Sequence, residues 1–475
     1  MDFSKKLEFS KEVRFQEVEK DVFVGWNRFS PHLLRLNKEA VDFLKNIKDE
    51  QVQKQDVEKL KPFKIELLNH KFIYQGRTDP SQDFFFKLID DEYDRIKRRA
   101  DEFYETKQDY SQLYICNDFC NLKCSYCVKN YKHVEAQKKS TNDEKLDMLK
   151  LVVEQYVHRK LKNNATHIPI CFNGGEILLE WDLIKNIVRS NQKEYPGTTF
   201  KYFINTNMTL MTEEIAKFMG RYDFDVDISI DGYPEAHNLT RIYKDGKGSF
   251  DDVIKGTEIY RKYNKNSPIK SFQGTVENPD NFKVEEVFNM RRFGFKSARL
   301  APNLLNVSEK NAKQKAQIMG RLIKLNLVED FQVSDSYFEN IRKLLKLQNY
   351  KFYLNCVGLC GLPRMGLYFN VSTLKVSQLC SYLSQPALHL KTIGYDIYNP
   401  SLWKVSLNFI KQRLNALKTY CIDCDMVGIC KGDCVMSGLD VDNQPNKPAC
   451  LYQKEMWKLF LTHMYSNEMD VEEIH

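Results

Sequence analysis

Three cysteines, Cys120, Cys124 and Cys127, stand in the run CNLKCSYC, a Cys-x3-Cys-x2-Cys spacing with an aromatic residue, Tyr126, just before the last thiol. Three thiolates can hold three irons of a [4Fe–4S] cube and leave the fourth iron without a protein ligand, whereas an electron-transfer site normally supplies four. The missing ligand is the informative part: a substrate or cosubstrate is what would complete such a cluster. Zinc is the alternative, but zinc sites favour four tetrahedral ligands and paired Cys-x2-Cys knuckles. A second cysteine group lies far downstream. It comprises Cys421, Cys424, Cys430 and Cys434, then Cys450, preceded by Cys356, Cys360 and Cys380. No cysteine falls between 172 and 355, so the chain has two separate metal-bearing parts. One or two structural zincs would be the alternative for the second group.

The elements that must position the first group alternate strictly between strand and helix. Leu113–Cys116 is a strand that runs into the cysteine loop, and Thr141-x-x-Glu144 is a capping box before a helix to about Lys160. Thr166–Phe172 is the next strand and ends at Gly174-Gly175-Glu176. Helix Trp181–Glu194, strand Phe200–Ile204, helix Thr212–Arg221 and strand Asp225–Ile230 follow. Helix Phe250–Tyr263, strand Ile269–Val276, helix Val284–Phe293 and strand Ala298–Ala301 complete the series. Six strands with helices between them imply a parallel sheet, with ligands at the carboxyl ends of its strands. The cysteine loop and the Gly-Gly-Glu both follow a strand and open onto that end.

Residues 1–85 lack cysteine. Asp21–Trp26 and Leu33–Leu36 read as strands around the turn at Ser30-Pro31, and Lys38–Ile47 has helical spacing. Shorter helical stretches near Val52–Leu60 and Phe63–Leu68 make this a winged-helix-like module. Residues 86–110 form a linker helix, 308–350 a helical linker, and 351–475 a small metal-stapled fold closed by a helix from Leu451. At 475 residues the chain has room for several domains. No run of 18 apolar residues is present, so no membrane span is expected. The start, MDFSKKLEFSKEV, has no apolar core of a secretory signal. Thirteen cysteines without such a signal point to a cytoplasmic protein with metal ligands rather than disulfides. The net charge of +7 reads as a solvated lysine-rich surface, with no nucleic-acid and no membrane partner expected.

CNLKCSYC, then FNGGEILLEW (Phe172–Trp181), INTNMTL (Ile204–Leu210) and ISIDG (Ile228–Gly232), in that order on six β/α units, resemble the radical S-adenosylmethionine (SAM) superfamily over roughly residues 112–305. The resemblance implies an α/β fold, a partial (β/α)6 TIM-like barrel core at 111–307, with SAM chelating the open iron. Gly174 and Gly175 let the backbone approach closely, and Glu176 would accept hydrogen bonds from the methionine ammonium. Ser229 and Asp231 would bind ribose hydroxyls. Asn205 and Asn207 would line the same pocket, and Arg241 would reach the methionine carboxylate. Asp231-Gly232 read alone is an Asp-Gly turn, and Gly-Gly-Glu read alone is a plain βα turn.

The downstream cysteines resemble the SPASM extension of radical SAM peptide-modifying enzymes, which implies two auxiliary [4Fe–4S] clusters. The first would take Cys356 or Cys360, or both, with Cys380 and Cys434; the second would take Cys421, Cys424, Cys430 and Cys450. Cys116 and Cys171 are then ordinary strand-end thiols. The N-terminal module resembles a RiPP recognition element, a domain that binds leader peptides of ribosomally made precursors. Strand addition would place the leader along Phe23–Trp26 and the helix near Phe63–Leu68.

The resemblance implies that an external one-electron reductant, a flavodoxin or ferredoxin, drives SAM cleavage to a 5′-deoxyadenosyl radical that takes hydrogen from a precursor peptide. The expected product is a thioether between a cysteine sulfur and a carbon, as in sactipeptide and ranthipeptide maturases. Ser381 stands after Cys380, where sulfatase-maturing relatives place an aspartate base. Epimerisation, carbon–carbon crosslinking or sulfatase-maturase-like oxidation are the alternative modifications. A non-catalytic metal-binding regulator is the alternative from another class.

Overall fold

The computed structural model describes residues 7–30, 33–47, 67–68, 71–75, 78–105, 111–127, 142–266, 268–304, 307–325, 331–334, 366–377, 397–398, 400–430 and 444–465. Cys356, Cys360, Cys380, Ser381, Cys434 and the helix expected at 52–60 lie outside them, as do most of the helix at 63–68 and Thr141 of the expected capping box.

Strands β1 (Leu7–Phe9), β2 (Val13–Glu19), β3 (Val22–Asn27) and β4 (Leu33–Asn37) lead into helix α1 (Lys38–Ile47). The strands β2, β3 and β4 form an antiparallel sheet in that order. The expected hairpin is therefore its β3–β4 half, and β3 is the central strand. Both of its edges are taken, so a peptide cannot add along Phe23–Trp26; this corrects the expected groove. Strand β5 (Ile73–Gln75) returns to pair with β1. Helix α2 (Ser81–Glu105) begins within the module and covers the expected linker helix as far as Glu105, residues 106–110 lying outside the described residues.

The series that follows is β6 (Gln112–Asn117), α3 (Asn142–Lys162), β7 (His167–Gly174), α4 (Trp181–Glu194), β8 (Thr199–Thr206), α5 (Glu213–Arg221) and β9 (Phe224–Ile228). After it come α6 (Pro234–Thr240), α7 (Phe250–Tyr263), β10 (Ser271–Val276), α8 (Val284–Phe288), β11 (Ser297–Pro302), α9 (Glu309–Leu325) and β12 (Gln332–Ser334). The helix expected over 284–293 splits, its second half tightening into a 3-10 turn over Asn289–Phe293 that ends at Gly294 in the left-handed region. Strands β6 to β9 pair in parallel in sequence order. A second parallel sheet, β10-β11-β12, joins through the bridge Ser229–Gln273 and the Ile230 amide donating to the Gln273 carbonyl at 2.8 Å. The strands expected as one sheet are thus two sheets meeting where β9 ends.

Strand β13 (Gly366–Asn370), from the downstream region expected to be a separate fold, adds in parallel to the free edge of β6, and β14 (Lys375–Ser377) pairs antiparallel to it. Helices α10 (Pro400–Thr419), α11 (Val427–Cys430) and α12 (Lys447–Tyr465) complete the chain. Leu113, Ile115, Ile170, Phe172, Tyr202, Ile204, Phe224 and Ile228 are buried beneath the helices. On the opposite face Phe203, Asp225 and Asp227 are exposed among the described residues. On that same face Cys116 and Cys171 are buried, so the exposure is confined to the β8–β9 side. Among the described residues no helix is long and apolar enough to cross a membrane.

Candidate functional site

The cysteine loop leaves β6 at Asn117, and the Gly174-Gly175 turn at the end of β7 is pressed against it. The Gly175 amide donates to the Asn117 carbonyl and side-chain oxygen, each at 3.0 Å, and the Glu176 amide donates to the Phe119 carbonyl at 2.7 Å. A Cβ on Gly175 would lie 2.0 Å from the Phe119 carbonyl oxygen; on Gly174, at φ +131°, it would lie 2.5 Å from the Asn117 backbone. The close approach expected of these glycines is therefore an approach to the cysteine loop itself.

Glu176 is fully buried. It accepts from the Asn207 amide at 2.7 Å, the Thr206 hydroxyl at 2.8 Å and the Leu178 amide at 3.0 Å. Burial pushes its carboxyl above the ordinary value, against the pull of those donors. The side chain expected to meet a ligand ammonium fastens the end of β7 to the end of β8. Asn207 is buried beside the cysteine loop. Its side-chain amide donates to Asn121 Oδ1 at 2.9 Å and approaches Cys120 Sγ at 3.8 Å, while its carbonyl oxygen accepts from Thr209. The Asn121 amide in turn donates to Thr209 Oγ1 at 2.7 Å. Asn205 and Ser229 meet at the ends of β8 and β9, the Ser229 hydroxyl donating to Asn205 Oδ1 at 3.2 Å.

Asp231, Arg241 and Tyr126, expected as separate ligand contacts, form one network around the buried Asp231. Asp231 accepts from the Tyr126 hydroxyl at 2.7 Å, the Thr240 hydroxyl at 2.8 Å and the Thr275 amide at 2.8 Å. Arg241 Nε lies 3.0 Å from Asp231, an ion pair without an aligned hydrogen bond, and its guanidinium is 5.7 Å from the Tyr126 ring centroid. Burial acts to raise the Asp231 carboxyl, but the Arg241 guanidinium, with the Thr275 amide and the Tyr126 hydroxyl, outweighs it and holds it below its ordinary value. His237 is buried, accepts from the Asp231 amide and bonds Ser249; burial first, then Arg241, bring it down to about 3. Thr206, Thr240, Thr275 and His237 carry no spacing signal, and sequence reasoning missed them.

The three thiols are close enough to act on one another. Burial pushes Cys124 up to about 12, with Arg241 pulling it down and Asp231, Cys120 and Cys127 adding to the rise. Cys120 Sγ accepts from the Leu122 amide at 3.4 Å, and the Cys127 amide closes a turn on the Cys124 carbonyl at 3.1 Å. In the second group, burial pushes Cys421 up to about 12, helped by Cys450 and Cys424 and opposed by the buried Arg413. Cys430 closes α11. Outside both groups, the Cys116 thiol donates to Asn173 at 2.7 Å and Cys171 accepts from Gln112 at 3.0 Å.

Residues 114–284 match the Radical SAM superfamily model. A cysteine-type anaerobic sulfatase-maturating enzyme of Clostridium perfringens is 32% identical over 146 residues, 30% of this chain and 38% of that protein, so the match spans well under half of its length. The radical SAM cyclopropyl synthase TigE of Paramaledivibacter caminithermalis is 24% identical over 386 residues, 76% of this chain and 74% of that one. The solved structure "Native anSMEcpe with bound AdoMet" superposes with a TM-score of 0.56 at 22% identity over 74% of this chain and 96% of its own, a likeness of fold. The chain thus carries a radical SAM domain homologous to that of sulfatase maturases, which implies a [4Fe–4S] cluster and SAM.

The residues present fit both groups. Amide donors at Cys120 Sγ are the contacts that tune cluster thiolates. Arg241 adds a buried cation beside them, suited to a carboxylate.

Proposed function

We propose that the protein modifies a ribosomally made precursor peptide by radical SAM chemistry, and that the product is a thioether joining a peptide cysteine sulfur to a carbon. The observation that carries the peptide reading is the N-terminal sheet packed against the second cysteine group. Among the described residues β4 pairs only with β3, so its outer edge can take an added strand. The β2 edge is less suited: it shifts register between Glu17 and Glu19, and Arg14 is held by Asp425 at 2.6 Å. Ser381 in place of an acidic base supports a thioether over sulfatase-type oxidation.

In this reading Cys120, Cys124 and Cys127 hold the SAM-binding cluster. Cys421, Cys424, Cys430 and Cys450 hold one auxiliary cluster, and Cys356 or Cys360, or both, with Cys380 and Cys434, hold the other. Bound cluster and SAM together supply one-electron cleavage to a carbon radical, with a flavodoxin or ferredoxin as reductant. The chain's own contribution is placement. Gly174 and Gly175 seat the cysteine loop, Asn207 and Asn121 fix it to the end of β8, and Arg241 offers positive charge to a carboxylate. The buried Asp231, itself held by the Tyr126 and Thr240 hydroxyls, keeps that guanidinium in place. Asn205 and Ser229 present an amide and a hydroxyl at the same strand ends.

Anaerobic co-expression with a cysteine-containing precursor peptide tests the proposal by mass spectrometry. The expected product has lost two hydrogens per crosslink, and its modified cysteine resists alkylation. Solvent deuterium uptake without a mass loss, or two hydrogens lost with every thiol still alkylatable, would overturn the thioether assignment.

A further inference from the structure

We propose that Trp26 and Arg28, at the end of β3 and in the turn after it, are positioning residues for the second cysteine centre, so that metal retention at Cys421, Cys424, Cys430 and Cys450 depends on their contacts to the cysteine loop. The proposal rests on the reading that this centre holds a cluster.

The loop that carries three of these cysteines is tied to the N-terminal module at every third residue. Arg28 Nη1 donates to the Ile422 carbonyl. Trp26 Nε1 donates to the Asp425 carbonyl at 3.0 Å, and Arg14 pairs with the Asp425 carboxylate at 2.6 Å. The Gly428 amide donates to the Arg28 carbonyl at 2.8 Å, and a Cβ on Gly428 would lie 2.8 Å from that oxygen. Ile422, Asp425 and Gly428 alternate with Cys421, Cys424 and Cys430, so each tie falls within two residues of a ligand. The fourth cysteine comes from another element: Cys450 lies in the first turn of α12. The Trp26 ring meets Trp457 of that helix edge-on, with centroids 5.7 Å apart. The N-terminal sheet therefore bridges the two segments that supply the ligands.

Arg28 is built for this task. Its Nε pairs with Glu12, the two side chains 11% and 10% exposed, and its guanidinium lies 4.4 Å from the Phe29 ring centroid. A buried ion pair adds little net stability, because desolvation offsets the attraction. What it does here is fix the planar fork so that a remaining N–H points at Ile422. Residues that orient metal ligands from behind typically change metal affinity 10–100-fold when replaced.

The test is anaerobic iron release from the full-length, cluster-loaded protein to a strong iron chelator. Cys424→Ala defines the iron that belongs to this centre. Arg28→Met, which keeps the length of the side chain but loses the fork, should release that iron on the order of tenfold faster. Trp26→Phe, which keeps the ring but loses the donor, should act in the same direction. Arg28→Lys should retain more iron than Arg28→Met while shifting the electron paramagnetic resonance signal of the reduced centre. Leu36→Ala, in the apolar cluster with Phe9 and Phe72, loosens the module without touching the loop and should release iron at the wild-type rate. Wild-type release from both Arg28→Met and Trp26→Phe, alongside a Cys424→Ala protein short of one cluster, would overturn the inference and leave the cluster reading standing. Equal release from Leu36→Ala and Arg28→Met would overturn it in favour of general loosening. A Cys424→Ala protein with its full iron would remove the premise and the inference together.

Discussion

Replacing Gly175 by alanine should disable the centre at the Cys120–Cys127 loop far more than it unfolds the protein. The added Cβ would stand 2.0 Å from the Phe119 carbonyl oxygen and 2.6 Å from its carbon. Both atoms are backbone, so no rotamer change relieves the contact; the two chains must part by about 1.4 Å to reach the 3.4 Å of ordinary contact. The hydrogen bonds on either side, Gly175 to Asn117 at 3.0 Å and Glu176 to Phe119 at 2.7 Å, oppose that movement. Phe119 immediately precedes Cys120, so the displacement passes directly to the first thiol. Overpacking of this kind costs about 1–3 kcal/mol. A misplacement of ~1 Å at a reacting centre lowers rate about 100-fold. The assay is 5′-deoxyadenosine formation from SAM under reducing conditions, read beside denaturant unfolding. Thr212→Ala supplies the control. It removes the cap donated to by the Ile215 amide at 3.2 Å, costs about 1 kcal/mol, and leaves the site alone. If Gly175→Ala cleaves SAM within a few-fold of wild type, the glycine is not there to seat the loop, and the steric argument fails.

Two further outcomes follow from the same geometry. Burial holds His237 neutral, at about 3 against an ordinary 6.5; a depressed histidine contributes stability that is full above pH 6.5 and is lost as pH falls toward 3. His237→Gln should therefore lose less stability on acidification than wild type, and parallel denaturation curves at about pH 7 and pH 5 that fall equally for both proteins would refute this. Cys171→Ser should keep its iron, because that thiol is engaged by Gln112 at 3.0 Å away from either cysteine group; loss of a cluster's iron on analysis would show the ligand assignment to be wrong.

Local signals carried well. The bounds of the helices at Trp181–Glu194 and Phe250–Tyr263 were legible from apolar periodicity, and so was the order of the strands around the cysteine loop. What failed depended on partners distant in sequence. Gly174 and Gly175 announced a close approach but not to what, because the atoms they make way for belong to Asn117 and Phe119, where β6 runs into the cysteine loop. Asp231 and Arg241 each read as a ligand contact; only the fold shows that Tyr126 and Thr275 converge on the same carboxylate. Strand β13 was invisible as part of the main sheet because its partner β6 lies in another half of the chain. Phe23–Trp26 looked like an edge until β2 was seen to cover its other side. Arg28 belongs to no motif, and its role depends on a loop that a sequence window never places beside it.

The pairing of β13 with β6 also sets the order in which this chain can be made. Asn370 bonds Asp118 across 252 residues, and Trp26 reaches Asp425 across 399. At about 5–20 residues per second of synthesis, β6 leaves the ribosome roughly 13–50 s before its neighbour exists. For that interval its row of unpaired amides and carbonyls is an adhesive edge, and the N-terminal sheet has no loop to hold. A nascent chain of this design would gain from delayed compaction or a chaperone that covers β6.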